Sequence, residues 1–287
     1  MSHLPTLHPV VYEGIVRRAL REDLGRAGDL TTDAVVPAAA RARGAIRARR
    51  AGRLAGLEPA LAAFRLLDPE VAVEALAADG GDVGAGEVLA RLSGRARGML
   101  SAERTALNLL GRLCGIATAT RDLVRVIAGT GARVVCTRKT TPLLRALEKY
   151  AVRAGGGSNH RFGLDDAVLI KDNHRLLAGG AAEAVRRARR AVGHLVKIEI
   201  EIEVDDLEEL EAILALGVDA VLLDNMSPEE LRRAVGIVGG RAITEASGGI
   251  TPETAAEIAA TGIDLLSVGW LTHSAPALDV GLDFEAP

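Results

Sequence analysis

The amino-acid sequence predicts an α/β protein in two parts. Strands and helices are mixed in the first part, and the second is built on parallel strands with crossover helices. The second part is predicted by alternation, because beyond Gly131 short apolar runs repeatedly precede helical stretches. The length of 287 residues allows one large domain or two of ordinary size. Hydrophobic residues make up 48% of the chain but aromatic residues only 2%, so alanine, leucine and valine must build the core.

The first hundred residues mix helical and strand patterns, which favours an α+β arrangement. Residues 10–24 carry apolar side chains on one face of a predicted helix. Apolar and polar residues alternate weakly in 41–56, which is typical of an antiparallel strand with one solvent-exposed face. The patterns that follow predict a helix at 54–67, a strand at 71–76, a turn at 79–84 and a strand at 88–92. The acidic stretches 22–25 and 28–32 are typical of capping and turn residues.

A helix is predicted to begin directly after Ser101, which suits the N-cap, with Glu103 in its first turn. Arg104 does not suit that position, because a cation near a helix N-terminus opposes the helix dipole. A local misfit of this kind is a weak indication of function. A further helix is predicted at 118–127.

Six short apolar runs in the second part are predicted to be parallel strands joined by right-handed crossovers. They cover 134–136, 167–170, 195–202, 219–223, 242–246 and 264–268. The residues at their exits are Arg138, Lys171, Glu203, Asp224, Ser247 and Gly269. Consecutive exits are 21 to 33 residues apart, which is the length of one βα unit of a barrel. Barrels carry their catalytic groups at this end of the strands. Six units do not support a complete eight-stranded barrel.

Four cations cluster in the sequence around the first two strand exits. They are Arg138, Lys139, Arg161 and Lys171. A cation at the exit of a buried strand lies at the rim of a core and needs an anion, which a ligand supplies where the protein does not. Each cation alone is better explained as a surface residue at the start of a loop. Together, beside the glycine loop 155–157 and two histidines, they favour an anion site.

Two carboxylates follow the middle strands. Glu203 and Asp224 are candidate ligands of Mg²⁺, directly or through water, because this ion prefers oxygen ligands and keeps several waters. The alternative for Glu203 is that it faces solvent or pairs with an arginine, since 199–203 alternates between acidic and apolar residues. Asp224 closes a buried strand, and a carboxylate in such a place usually has a partner.

Glycine-rich turns follow the last two strands. Ser247, Gly248 and Gly249 precede a helix start at 251–253, whose free backbone N–H groups would hold a phosphate. Gly269 follows the last strand, and barrels often bind phosphate with their final two βα loops. Cations, carboxylates and backbone amides in this order fit a small polyanion together with a phosphorylated sugar diphosphate and its divalent metal.

The composition restricts the kinds of partner that the protein can bind. The net charge of −3 argues against broad binding of nucleic acid or of anionic membranes. Cys114 and Cys136 form no CxxC pair, so neither a zinc site nor a disulfide framework is indicated. Apolar stretches fall short of the roughly 18 residues of a membrane span, and residues 1–9 lack a leader pattern. We therefore expect a soluble, cytoplasmic protein without a nucleic-acid or membrane partner.

Six motifs in one order resemble the quinolinate phosphoribosyltransferase family. They are 103–108 (ERTALN), 137–142 (TRKTTP), 159–161 (NHR), 169–174 (LIKDNH), 223–225 (LDN) and 247–250 (SGGI). The resemblance extends to 22–25 (EDLG) and 269–274 (GWLTHS), and so spans nearly the whole chain. Two departures are Cys114, where the family more often has serine, and Leu143, where glycine is common.

The resemblance implies that quinolinate and phosphoribosyl pyrophosphate give nicotinate mononucleotide, pyrophosphate and CO₂, a reaction of NAD biosynthesis. It also implies an N-terminal α/β sandwich and an incomplete α/β barrel of about seven strands. We accordingly expect a sandwich domain at 1–115, against which the tail 275–287 packs back, and a barrel domain at 116–274. Mg²⁺ is the expected cofactor, and a homodimer or higher oligomer is the expected assembly.

Site roles follow from the same resemblance. The residues implied around the pyridine dicarboxylate are Arg104, Arg138, Lys139, His160, Arg161 and Lys171. Glu203 and Asp224 are implied at the ribose and the metal-bound diphosphate, and the residues implied at the ribose phosphate are Ser247, Gly248, Gly249 and Gly269. Arg104 is implied to reach the site from a neighbouring subunit. Lys139 or Lys171 is expected to assist decarboxylation, and the sequence does not choose between them. His174 and His273 receive no role.

Three alternatives stay open at this point. A related enzyme using nicotinate would not decarboxylate, and its monocarboxylate would need fewer cations. A Schiff-base aldolase would use Lys171 as nucleophile at a strand end. A metabolite sensor that kept the pocket would have no need of Glu203 and Asp224.

Overall fold

The computed structural model describes Leu4, residues 6–192, 200–204 and 206–285. The helices, in chain order, are α1 Pro9–Leu24, α2 Leu30–Val35, α3 Leu57–Leu67, α4 Ala96–Val126, α5 Arg145–Ala154, α6 Asp172–Ala178, α7 Ala181–Val192, α8 Leu210–Leu214, α9 Pro228–Val238, α10 Pro252–Ala259 and α11 Trp270–His273. The strands are β1 Arg41–Ala48, β2 Gly52–Arg53, β3 Ala72–Ala75, β4 Asp82–Val83, β5 Val88–Arg95, β6 Arg133–Val135, β7 Val168–Ile170, β8 Ile200–Val204, β9 Ala220–Asp224, β10 Ile243–Ser247, β11 Leu265–Ser267 and β12 Val280–Phe284. Within these described ranges, no helix is both long and apolar enough to cross a lipid bilayer.

The chain forms two compact units. The first comprises Met1–Arg121, Thr140–Gly156 and Trp270–Pro287, and the second comprises Asp122–Lys139 and Gly157–Gly269. The predicted boundaries, 1–115 and 116–274, do not coincide with these units. One reason is that α4 runs without a break across residue 115, and another is that 140–156 groups with the first unit.

The first unit is built on a four-stranded antiparallel sheet in the order β12-β1-β5-β3. The C-terminal strand β12 pairs with β1, where Leu282 lies opposite Ile46. Helix α3 adds a buried face that includes Leu61 and Phe64, both fully buried. The sheet and helices therefore share one apolar core, made largely of aliphatic side chains as the composition predicts.

The predicted helix start after Ser101 is wrong, and so is the separate helix at 118–127. Helix α4 is continuous from Ala96 to Val126. Met99 and Ala102 are both fully buried, so tertiary packing favours a helix that begins upstream of the best local cap. Arg104 consequently lies more than one turn inside the helix, and the helix-dipole argument for it no longer holds.

Ser101 has a different contact. Its hydroxyl donates to Asp29 Oδ2 at 2.9 Å. Asp29 is the N-cap of α2 and accepts the backbone N–H of Thr32 at 3.0 Å, as predicted for the acidic stretch 28–32. The hydrogen bonds from Thr32 hold the pKa of Asp29 below its usual range.

The second unit is built on a parallel sheet in the order β6-β11-β10-β9-β8-β7. These six strands match the six predicted apolar runs, although 195–199 of the third run lie outside the described residues. An isolated parallel bridge between Val135 and Ser158 marks a further segment beside β6. The parallel α/β architecture predicted for the second part is thus confirmed. The sheet register places Ser247 opposite Asp224 at the strand ends.

Candidate functional site

A cavity of about 410 Å³ lies at the carboxyl ends of the parallel strands in the second unit. Its lining residues are Thr137, Arg138, Lys139, His160, Arg161, Leu169, Lys171, Leu222, Asp224, Glu245, Ser247 and Ser267. All four cations predicted from the sequence are among them, together with the predicted His160, Asp224 and Ser247. Parallel strands bring their exits to one edge of the sheet, which is why residues far apart in sequence meet here.

Lys171 is held in place by Glu203. The lysine ammonium forms an ion pair with Glu203 Oε2, and the Glu203 side chain is only 9% exposed. The backbone N–H of Lys171 donates to His174 Nδ1 at 2.9 Å, which gives His174 a role at the start of α6. Since the ion pair uses the lysine as an ammonium group, it does not favour the amine nucleophile that a Schiff-base aldolase needs.

Glu203 does not line the cavity in the way the sequence suggested. The residue is 7% exposed, it is not among the residues that line the cavity, and its carboxylate is paired with Lys171. Arg175 Nη1 donates to the backbone carbonyl of Glu203 at 3.0 Å, which anchors this part of β8. The solvent-facing alternative for Glu203 is therefore wrong. The side chain of Glu201 is not among those that the structure describes.

A histidine–carboxylate pair also lines the cavity. His160 Nε2 is 3.4 Å from Glu245 Oε2, and their side chains are 15% and 2% exposed. The backbone N–H of Arg161 donates to His160 Nδ1 at 2.7 Å, and Arg161 Nη1 donates to the carbonyl of Ala167 at 3.0 Å. Sequence reasoning missed Glu245. The available signal was an acidic residue inside the apolar run 242–246, which was predicted to be a buried strand.

Asp224 and the glycine turn after β10 form a closely packed corner. Asn225, at φ +55°, donates its side-chain N–H to Asp224 Oδ2 at 2.6 Å, and its backbone N–H donates to Ser247 O at 2.9 Å. Gly248 has φ +91°, and a Cβ built on it would lie 2.1 Å from Asn225 Oδ1 and 2.9 Å from the Asn225 backbone N. Only glycine fits both this conformation and this space.

The predicted phosphate turn has the expected local structure. Helix α10 follows it, with Thr251 as N-cap and Pro252 at the first helical position. Gly249 has φ +58° and open space beside it. Of the predicted phosphate-binding residues, only Ser247 lines the cavity, and Gly248, Gly249 and Gly269 are not among its lining residues.

Arg104 belongs to the first unit and is exposed on α4. Burial raises the pKa of its neighbour Glu103, and the charge of Arg104 opposes that shift. The lining of the second-unit cavity does not include Arg104.

The oxygen donors fit a magnesium ion shared with a ligand better than a site made by protein alone. Among the residues that the structure describes, no group of three or more His, Cys, Asp or Glu side chains is arranged to hold a metal. Asp224 lines the cavity and is partly exposed. Mg²⁺ is commonly bound by one or two carboxylates together with substrate phosphates and waters, which one accessible carboxylate satisfies.

The cavity combines three kinds of recognition. Arginine and lysine side chains at one side suit carboxylates, since a guanidinium can hold a carboxylate through two parallel hydrogen bonds. Asp224 and Ser247 lie side by side on neighbouring strands and suit hydroxyl groups or a developing positive charge. Beside the cavity, the turn after Ser247 leads into the N-terminus of α10, a type of structure whose backbone N–H groups can bind phosphate.

The chain resembles known proteins over almost its whole length. A family model described as the N-terminal domain of quinolinate phosphoribosyl transferase matches residues 29–114, and the model of the C-terminal domain matches residues 116–283. A probable carboxylating nicotinate-nucleotide pyrophosphorylase of Bacillus subtilis (strain 168) is 45% identical over 262 residues, covering 91% of this chain and 89% of the relative.

Another sequence relative and a solved structure point to the same family. The carboxylating nicotinate-nucleotide pyrophosphorylase of Mycobacterium leprae (strain TN) is 45% identical over 276 residues, covering 93% of this chain and 95% of that protein. A solved structure of the nicotinate-nucleotide pyrophosphorylase from Francisella tularensis superposes with a TM-score of 0.93 at 36% identity, covering 99% of this chain and 100% of that one.

We predict that Gly248→Ala destabilises the protein far more than Gly249→Ala. The first adds a backbone clash with Asn225 to the strain of a positive φ and should lower the free energy of unfolding by roughly 2–4 kcal/mol. The second adds only the strain, about 1 kcal/mol. Urea unfolding of both variants measures the difference, and equal losses would show that the corner at Asn225 is not tightly packed.

Proposed function

Because the chain belongs to the quinolinate phosphoribosyltransferase family, we propose that the second-unit cavity joins quinolinate to the phosphoribosyl group of phosphoribosyl pyrophosphate. The products are nicotinate mononucleotide, pyrophosphate and CO₂. The observation that carries this proposal is the presence of four cations and of the Asp224–Ser247 pair in one cavity. The sugar and the dicarboxylate would then meet between the cations and the Asp224–Ser247 pair.

The cations form the proposed dicarboxylate subsite. Arg138 and Arg161 suit the two carboxylates of quinolinate because their planar guanidinium groups match carboxylate geometry. Lys139 and Lys171 add positive charge at the same rim. Holding both carboxylates fixes the ring nitrogen towards the sugar, which turns a two-body encounter into a positioned attack. Nicotinate, with one carboxylate, would leave part of this charge unmatched, and the related enzyme for that acid is therefore not favoured.

Asp224 and Ser247 form the proposed sugar subsite. As pyrophosphate leaves, the C1 atom of the ribose becomes cation-like, and the carboxylate of Asp224 can stabilise it. The backbone of the turn Ser247–Gly249, the start of α10 and Gly269 would hold the ribose phosphate. The closely packed corner at Asn225 supports this role, because it fixes the direction of the Asp224 carboxylate.

We propose Mg²⁺ as the cofactor, held by Asp224 and by substrate and water oxygens. When bound, this ion neutralises charge on the leaving pyrophosphate. Glu203 is assigned a different task, because its carboxylate already pairs with Lys171. A water-mediated contact from Glu203 to the metal stays a prediction.

Loss of CO₂ follows the transfer. After the ring nitrogen is alkylated, the ring carries a positive charge. The electron pair of the breaking carbon–carboxylate bond stays on the ring carbon, where it is stabilised by that charge and takes up one proton. Both Lys139 and Lys171 line the cavity, and we propose that they assist by holding the carboxylate before it leaves or by supplying the proton. Lys171 is fixed by Glu203, which favours it for holding the carboxylate.

We predict that the purified protein, given quinolinate, phosphoribosyl pyrophosphate and Mg²⁺, releases CO₂ and nicotinate mononucleotide in equal amounts. Isotope-labelled carboxylate measures the gas, and chromatography measures the nucleotide. Lys139→Ala and Lys171→Ala should each lower both rates by about tenfold or more. Wild-type rates in both variants would remove the lysines from the mechanism. Nucleotide formed from nicotinate, without CO₂ from quinolinate, would contradict the proposed substrate.

We also propose a homodimer in which Arg104 completes the site of the neighbouring subunit. The exposure of Arg104 on α4 supports this, since its guanidinium is accessible to a second copy. A cytoplasmic location stays a prediction.

Hybrid dimers test the assignment of Arg104. One subunit would carry Arg104→Ala and the other Lys139→Ala, each purified through its own tag. If Arg104 acts across the dimer, one of the two sites is intact, and the hybrid should have about half of the wild-type activity. The matched control pairs Lys139→Ala with Lys171→Ala, which lie in the same site and should give no recovery. An inactive Arg104 hybrid would place this arginine in its own subunit's site, and an Arg104→Ala homodimer with wild-type activity would place it outside the mechanism.

A further inference from the structure

Glu245 is a buried acid for which the proposed reaction has no task. The residue is 1% exposed, yet it lines the cavity from the middle of β10. Its neighbours in the sheet register are Leu222 on β9 and Leu265 on β11, so apolar strands flank it on both sides. A carboxylate costs free energy in such surroundings unless a specific partner stabilises it.

The partner is His160. The imidazole Nε2 lies 3.4 Å from Glu245 Oε2. On the far side of the ring, Nδ1 accepts the backbone N–H of Arg161 at 2.7 Å. A ring nitrogen that accepts a hydrogen bond carries no proton, so the proton of this ring is on Nε2, facing the carboxylate. The contacts on the two sides of the ring therefore select a single tautomer.

This tautomer matters for Arg161. The backbone of Arg161 is tied to Nδ1 of the ring, and its guanidinium Nη1 is tied to the carbonyl of Ala167 at 3.0 Å. If the proton moved to Nδ1, two N–H groups would face each other across 2.7 Å, and the first of these ties would be lost. Glu245 disfavours that state because it gives the proton an acceptor on the opposite side of the ring.

We propose that Glu245 is a positioning residue that acts through His160 on Arg161. By accepting a hydrogen bond from Nε2–H it fixes the ring tautomer, and the ring in turn fixes the backbone from which the Arg161 guanidinium extends. The consequence for catalysis rests on the proposed function, in which Arg161 binds a carboxylate of quinolinate. His160 then contributes to the dicarboxylate subsite chiefly by holding Arg161 in place.

Two substitutions separate positioning from charge. Glu245→Gln keeps a carbonyl oxygen that can accept a hydrogen bond from Nε2–H, but it removes the negative charge. Glu245→Leu removes both. If Glu245 acts by positioning, the glutamine variant should resemble the wild type and the leucine variant should not. If Glu245 acts only as a counter-charge to the cavity cations, both variants should fail alike.

Nitrogen-15 spectra of histidine-labelled protein give a readout that does not depend on activity. The His160 signals, assigned by their loss in His160→Gln, should show the neutral Nε2–H tautomer in the wild type and in Glu245→Gln. In Glu245→Leu they should show a mixture of tautomers. An unchanged pattern in Glu245→Leu would overturn the proposal. If the pattern changes as expected while the wild type makes no nucleotide, the proposed function fails and the positioning role holds.

Steady-state kinetics give the second readout. In Glu245→Leu the KM for quinolinate should rise about tenfold, while kcat and the KM for phosphoribosyl pyrophosphate change by less than about threefold. In Glu245→Gln the KM for quinolinate should stay within about threefold of the wild-type value. A glutamine variant as defective as the leucine variant would overturn the proposal. If Glu245→Leu does not fold, His160→Leu should raise the same KM, and an unchanged KM there would equally overturn it.

Discussion

The site depends on carboxylates buried beneath a cationic rim. Glu203 pairs with Lys171, and Glu245 faces His160, whose ring holds Arg161. Long cationic side chains at a cavity edge would otherwise sample many rotamers and would lose side-chain entropy on meeting a ligand. Buried acids reduce that loss because they hold the cations, or the backbone beside them, before the substrate arrives. The fold supplies the low-dielectric surroundings in which such contacts are strong.

The parallel sheet determines where this can happen. Each strand brings its last inward-facing residue to the same edge, so Asp224 and Ser247 become neighbours although 23 residues separate them in sequence. Loops then add groups that strands cannot offer. The turn at Gly248 packs against Asn225 closely enough to exclude any side chain, which links the carboxylate of β9 to the backbone amides that follow β10.

Much of this arrangement could be predicted from the sequence, because strand exits are visible as the end of an apolar run. Arg138, Lys171 and Asp224 were found in this way and line one cavity. Glu245 was missed because a single acid inside an apolar run does not reveal which way it points or what it meets. The cap at Ser101 was predicted wrongly, because local capping preference is weaker than the burial of Met99 and Ala102.

Two other outcomes show the limits of pattern. His174 accepts the backbone N–H of Lys171 with the N-cap-to-N3 spacing of a capping box, but histidine stands where glutamate or glutamine is usual. Leu143, where the family commonly has glycine, has φ +67° and is 76% exposed. The backbone there favours glycine, so this chain carries a strain of roughly 1 kcal/mol at that loop. The residue type alone does not reveal this backbone conformation.

Equilibrium binding of the acid substrate tests the central claim most directly, namely that the cationic rim is held ready for two carboxylates. Calorimetric titration of quinolinate and of nicotinate, without phosphoribosyl pyrophosphate, compares a dianion with a monoanion of the same ring. Quinolinate is expected to bind about tenfold or more tightly than nicotinate, and added salt should reduce the ratio of the two affinities. Equal affinities, unaffected by salt, would contradict it.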